Sequence, residues 1–304
     1  MKNLNQRLIY PAYVFITMGL YFILFPYCED LKYQLLLMGA LASLSFNTIF
    51  IHERLFPLHS EAAIGLKEKL HDGFQTTVVF PVVAISVAMG IRYLLNAPLK
   101  NFWPHHWNAI VQLVLILIIA EWFHYHYHRL SHRKKLLWKV HKIHHSPLSI
   151  YSLNSARFHL LDVVLNIAAY VFPVALFGIS IEVQLAFMLI NCVTGTLEHA
   201  NFDFKAGVLN RFFNTGELHR WHHSKNARES QMNLGKVLSI WDQFYGTYYL
   251  PEEKTVKGFG LSKAEDIPVT FVGQLNYPFG IKISSWSLGR VSAVALIILA
   301  ALAS

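Results

Sequence analysis

Charged residues are scarce in this chain. Of its 304 residues only 14% are Asp, Glu, Lys or Arg, against 54% hydrophobic, and mean hydropathy is +0.36. A soluble domain carries about a quarter charged residues, so the polar surface needed to enclose a water-soluble fold is missing and much of the surface faces lipid. Cysteine is scarcer still. Cys28 and Cys192 are the only two, on segments that the apolar pattern sets far apart, which excludes a disulfide framework and a thiolate metal site. No internal repeat, low-complexity linker or Gly-rich nucleotide fingerprint is present. Acids number 18 against 26 Lys and Arg, giving a net charge of +8. Histidine, at 17, nearly equals the acid count, and that excess needs a cause.

A membrane-spanning helix needs about 20 mostly apolar residues. Seven runs qualify: Leu8–Tyr27, Tyr33–Ile51, Phe74–Leu95, Trp107–Phe123, Leu161–Phe177, Ile181–Leu197 and Trp286–Ala303. They are apolar on all sides, which is the pattern of a buried or spanning helix and not of an amphipathic one. The reading is therefore all-α: a multi-pass transmembrane bundle with a cytoplasmic, histidine-rich helical cap. Residues 1–120 form the N-terminal spans. Residues 121–250 form a histidine-box domain that includes a tight hairpin over 161–197. Residues 251–304 form a loop and the last span. Orientation follows positive charge. The stretch His124–His159 holds seven Lys/Arg and no acid, which places it on the cytoplasmic side.

Twelve of the histidines fall between His124 and His223, just past the ends of apolar runs. Residues three and four apart share a helix face. His128 and His132 stand i,i+4; His141, His144 and His145 stand i,i+3,i+4; His219, His222 and His223 repeat that pattern. Each set can aim two or three imidazoles at one point, and imidazole suits iron, zinc, copper or nickel. Eight nitrogens exceed the need of one ion and suit two. A basic surface for anionic lipid would use Lys and Arg and would not need the repeated spacing. By spacing alone His124 is as good a ligand as His128 or His132. His105 and His106 read as interfacial residues beside Trp103 and Trp107.

The order and surroundings of these boxes resemble the fatty acid hydroxylase/sterol desaturase superfamily of integral-membrane di-iron oxygenases. The matching text is His128-Arg129-Leu130-Ser131-His132, then Trp138-Lys139-Val140-His141-Lys142-Ile143-His144-His145, then Asn154, Arg157-Phe158-His159 and His199-Ala200-Asn201. It closes with His219-Arg220-Trp221-His222-His223, Asn233-Leu234-Gly235 and Trp241-Asp242-Gln243-Phe244-Tyr245-Gly246. The resemblance covers about Glu121 to Tyr249. Three positions depart from the usual pattern: Glu121 in place of Asp, Leu160 in place of Pro after the Arg-Phe-His triplet, and Asn214-Thr215-Gly216 before the last box. None removes a ligand. The resemblance implies that the eight box histidines bind metal with His199 as a ninth, and it places His124, His159 and Asn201 in supporting positions; Asp203, i,i+4 from His199, is a further supporting candidate by spacing, against the reading of an ordinary turn residue.

It also implies two iron ions, O2 as co-substrate and a lipid substrate drawn from the bilayer. The metal site is expected to be reached through an apolar cavity walled by Trp107–Phe123 and Leu161–Leu197. Glu121, Asp162, Glu198, Asp203, Glu217 and Asp242 are the carboxylates available to orient imidazoles. With no nucleotide fingerprint, thiolate cluster or His-Pro-Gly-Gly segment of a cytochrome b5-like unit in the chain, electrons must come from a separate cytochrome b5-like or ferredoxin-like protein. The basic stretch Arg129–Lys142 could dock it by charge complementarity. Nothing points to nucleic acid. The alternatives are a zinc-dependent membrane hydrolase without redox chemistry, or a metal-binding membrane protein.

Overall fold

The computed structural model describes residues 2–59, 64–252, 254–263 and 265–281. Among them six helices are long and apolar enough to cross a membrane: α1 Gln6–Tyr27, α2 Leu31–Leu55, α3 Leu66–Leu95, α4 Ala109–Arg133, then α6 Leu160–Phe177 and α7 Ile181–His199. The short helix α5, Lys135–His141, lies between the fourth and fifth spans. The fold is all-α; the described residues contain only isolated β-bridges. The expected span Trp286–Ala303 lies outside the described residues.

Burial separates inner from outer helices. In its most apolar window 61% of α7 is buried, and none of α3 is. Apolar α3 side chains such as Met89 and Leu94 are exposed at 67% and 80%. That arrangement is unstable in water and natural against hydrocarbon. α2 packs on α7, and α3 and α4 pack on α6, so α7 forms the centre. Two helices carry a π-turn, Ala12–Ile16 directly after Pro11 and Gln75–Val79 directly before Phe80-Pro81. Proline cannot complete the regular ladder, and a wider turn absorbs the misfit.

One boundary and one burial depart from the sequence reading. The fourth span was expected to stop at Phe123; α4 continues ten residues to Arg133. No Gly or Pro interrupts His124–Arg133, so the first box rides the same helix out of the apolar layer. Trp103, expected at an interface, is buried and donates to Gln112 Oε1 at 2.7 Å. The hairpin α6–α7 forms as a full-length pair turned by Gly178-Ile179-Ser180. Gly178 sits at φ +57°, and a Cβ there would meet Ala97 Cβ at 2.6 Å, so only glycine fits.

After α7 the chain forms a cap of short helices: α8 Gly216–His222, α9 Ile240–Tyr245 and α10 Phe271–Asn276. The second box overhangs α5 into the following turn, and the third overhangs α8 by one residue.

Candidate metal centre

The boxes converge, but not one box to one point. Ring nitrogens of His128, His132, His141, His145 and His222 lie within 4.8 Å of one another, and so do those of His144, His199, His219 and His223. All nine residues are buried. Each His-x-x-His-His box is therefore split. His141 and His145, one turn apart, share the five-histidine group while His144 turns to the other; His219 and His223 share the four-histidine group while His222 crosses back. Periodicity reveals a common face, and it cannot show that adjacent His144 and His145 serve different centres.

The outer ring nitrogens decide the protonation state. A carbonyl oxygen only accepts, so an Nδ1 facing one carries the proton. His128 Nδ1 donates to Leu234 O at 2.7 Å, His222 Nδ1 to Met232 O at 2.9 Å and His144 Nδ1 to Arg157 O at 3.3 Å. His141 Nδ1 donates to Asp162 Oδ2 at 2.9 Å, and Tyr127 Oη donates to the same carboxylate. His199 Nδ1 donates to Asn154 Oδ1 at 2.9 Å; that amide is oriented by its own Nδ2 bond to Ser149 O at 2.8 Å. The Nε2 atoms of these five rings point inward.

The crowding of inward ring nitrogens fits a cation. His128 Nε2 and His141 Nε2 lie 3.1 Å apart. His132 Nε2 and His222 Nε2 are buried without any hydrogen-bond partner. Nitrogens bound about 2.1 Å from one ion and at right angles would stand about 3 Å apart, close to what is seen. In the second group His219 Nε2 faces His199 Nε2 and His223 Nε2 faces His144 Nε2, each at 3.1 Å. Burial pushes the imidazoles of His144, His145, His219 and His223 well down from their ordinary range, and that of His222 to about 3. They are held neutral, the form that can ligate. The residues fit two metal ions.

The supporting residues are placed by local sequence. Asp242 accepts from Leu234 N at 2.7 Å and Gly235 N at 2.8 Å; Glu121 accepts from Val237 N at 2.7 Å, Lys236 N at 3.0 Å and Tyr170 Oη at 2.6 Å. Together they clamp the Asn233–Val237 loop so that the Leu234 carbonyl meets His128. A Cβ at Gly235 would strike Leu238 O at 2.2 Å, which explains the glycine. Of the six carboxylates available from sequence, Asp162 is the one bonded to a converging histidine. Glu217 instead accepts from Ala206 N, and Asn214 donates to Glu198.

Of the supporting positions, His124 is buried with its ring 5.6 Å from His128, but it belongs to neither group. His159 Nδ1 accepts from Leu161 N and caps α6, while Nε2 donates to Leu275 O at 3.1 Å. Asn201 pins the backbone of His59 through two bonds of 3.0 and 2.9 Å. Asp203 accepts from Gln6 at 2.7 Å. Three contacts were not read from sequence. Phe158 stacks on His144 at 4.0 Å between centroids, Tyr127 backs Asp162, and Gln231 lies 3.4 Å from His132 Nδ1. Phe158 sits inside the Arg-Phe-His triplet; Gln231 carries no signal at all.

A cavity of about 200 Å³ touches His132 and His145. Its other walls are Trp138, Ala227, Ser230, Gln231, Gly260, Leu261 and Ser262. None belongs to Trp107–Phe123 or Leu161–Leu197, the walls expected for an apolar lipid channel. The volume lies below the roughly 300–1,000 Å³ of pockets for larger ligands.

Known proteins carry the same pattern. The family described as Fatty acid hydroxylase matches residues 113–247, a stretch that contains all nine converging histidines. The chain is 33% identical over 243 residues to the ornithine lipid hydroxylase OlsE of Rhizobium tropici, covering 77% of this chain and 73% of that one. It is 31% identical over 173 residues to alkylglycerol monooxygenase of Homo sapiens, covering 55% of this chain and 37% of that one, and 22% identical over 153 residues to methylsterol monooxygenase 1 of Gallus gallus, covering 47% and 50%. The chain thus spans half or less of the length of the last two. No solved structure matches. A third of all residues shared along most of the rhizobial protein, with the family pattern laid over both histidine groups, settles the relationship: the chain belongs to the fatty acid hydroxylase family and is a membrane enzyme of its hydroxylase type.

Proposed function

We propose that the two histidine groups hold two iron ions and that the chain inserts oxygen into a C–H bond of a bilayer lipid, with the boxes on the cytoplasmic side. Bound iron would supply O2 activation. The protein's own part is to keep nine buried imidazoles aimed inward, to exclude water by burial, and to hold the substrate. The balance is RH + O2 + 2 electrons + 2 protons giving ROH + H2O, so a separate electron carrier is required. Substrate class is inferred from the relatives, whose names specify an ornithine lipid, alkylglycerols and methylsterols. All are lipids with a polar end, which would lie at the membrane edge close to boxes that follow directly on spans. The tail stays in the bilayer, since exposing it costs about 0.8 kcal/mol per CH₂.

The observation that carries this reading is the convergence of nine buried histidines in two groups, the ring nitrogens of each group lying within 4.8 Å of one another. The test is metal analysis of the purified protein, coupled to lipid mass spectrometry of cells with and without it. Two irons per chain and a lipid gaining one oxygen atom from O2 are expected. Stoichiometric zinc with O2-independent lipid cleavage would establish the hydrolase instead.

A further inference from the structure

The cavity that touches His132 and His145 has a basic rim assembled from three separate parts of the chain. Arg133, Lys134, Lys135 and Lys139 are exposed around α5. Lys225 and Arg228 are exposed beside the wall residues Ala227 and Ser230, and Lys263 follows the wall residue Ser262. Among the described residues none of these seven makes a salt bridge, whereas Lys142, Arg157 and Lys205 all do. Leu136, in the middle of the α5 group, is 74% exposed. Trp138 lines the cavity, with its ring 5.2 Å from that of His132 and 5.6 Å from that of His145. Unspent positive charge, one protruding apolar side chain and an aromatic in contact with two converging histidines therefore meet at one opening.

We propose that this rim is the docking surface for a one-electron carrier protein with an acidic face, and that Trp138 is the side chain through which the docked carrier lies nearest the histidine groups. The proposal rests on the oxygenase reading above, because only that reading needs electrons. It goes beyond the basic stretch seen in sequence: the downstream cations at Lys225, Arg228 and Lys263 belong to the same surface, and the cavity fixes which part of it faces the metal site. The two electrons in the balance above arrive in two steps, each oxidising one carrier. Cations on such a rim raise association rates by about 10–1,000-fold at low salt, and an exposed leucine at the centre offers the apolar contact that charge alone lacks. An anionic bilayer would also attract the cations, but it would not require them to adjoin the wall residues of a cavity that touches His132 and His145.

Two charge-reversal variants test this: Lys134→Glu with Lys135→Glu and Lys139→Glu, and Arg228→Glu with Lys263→Glu. Neither touches a converging histidine. Three quantities are read: oxidised lipid in host cells, where the cell's own carrier serves; metal per chain; and turnover of purified protein in nanodiscs with dithionite-reduced methyl viologen. The expected result is an approximately tenfold or larger loss in cells for both variants, with metal content and viologen-driven turnover unchanged. Undiminished product in cells overturns the proposal. So does an equal loss with viologen, and if that loss appears only in phosphatidylglycerol-rich nanodiscs the rim belongs to the lipid surface. Wild-type protein with full metal that oxidises nothing under viologen would remove the oxygenase reading itself, and this surface with it.

Discussion

The two histidine groups are built from the same boxes yet differ in what stands behind them. The five-histidine group has a carboxylate, Asp162, on one ring, carbonyls on two more and the Gln231 amide on a fourth, and it borders the open cavity through His132 and His145. The four-histidine group is backed by one carbonyl and one neutral amide, Asn154, and Phe158 closes over His144. No member of it lines that cavity. A negative charge behind an imidazole raises its basicity as a ligand. One centre is thus electron-rich and accessible while the other is neutral-backed and enclosed.

The largest effect should come from breaking the groups themselves. His141→Ala removes a ring that touches both His128 and His145. Lipid oxidation should fall to background and bound metal below two per chain, while His105→Ala, which only loses a bond to Lys100 O, retains both. Turnover in the His141 variant near wild type would count heavily against the centre.

Next come the residues behind the rings. Asp162→Asn should weaken metal binding at the five-histidine group by about 10–100-fold, and Asn154→Leu should do the same at the four-histidine group. Competitive chelator titration reads both. Each variant is expected to release one ion early and leave the other in place; release of both together would show that the groups are not separate seats.

Asp242→Ala removes the acceptor of two buried backbone N–H groups near His128. Each unsatisfied group costs about 1–3 kcal/mol, so the unfolding temperature should drop and activity with it. An unchanged melting curve would show that the Leu234 loop is held by Glu121 alone.

The smallest effect is that of pH on metal-free protein. Above the ordinary histidine value of about 6.5 the buried rings of His144, His145, His219, His222 and His223 are neutral both folded and unfolded and add no pH dependence. Below it the unfolded chain takes up protons that the folded chain refuses until, for His222, about pH 3. The contribution of these rings to stability therefore falls as pH drops from about 6.5; Asp242, pushed up to about 6 by burial, opposes it with the other sign. Melting temperatures at pH 8, 7, 6 and 5 check the sign, and a rise on acidification would contradict it.

Much of this was legible in the sequence. Six spans appear as apolar runs because the bilayer demands length and hydropathy, and the boxes appear because ligands on one helix face must recur at three and four residues. What stayed hidden has physical reasons. Helix ends are local: nothing in the apolar pattern of α4 shows that it carries His128 and His132 on the same rod. Sorting six carboxylates down to Asp162 needs the packing of α6 against α5, which no spacing encodes. Backbone carbonyls at Leu234, Met232 and Arg157 leave no trace in residue type. The cavity that touches His132 and His145 is lined by cap and box residues, and such a lining, assembled from three separate parts of the chain, leaves no periodic signal.

The most direct measurement is anomalous scattering from crystals at the iron edge. Two peaks are predicted, one enclosed by His128, His132, His141, His145 and His222 and the other by His144, His199, His219 and His223. A single peak, or peaks that appear at the zinc edge and not at the iron edge, would contradict the account.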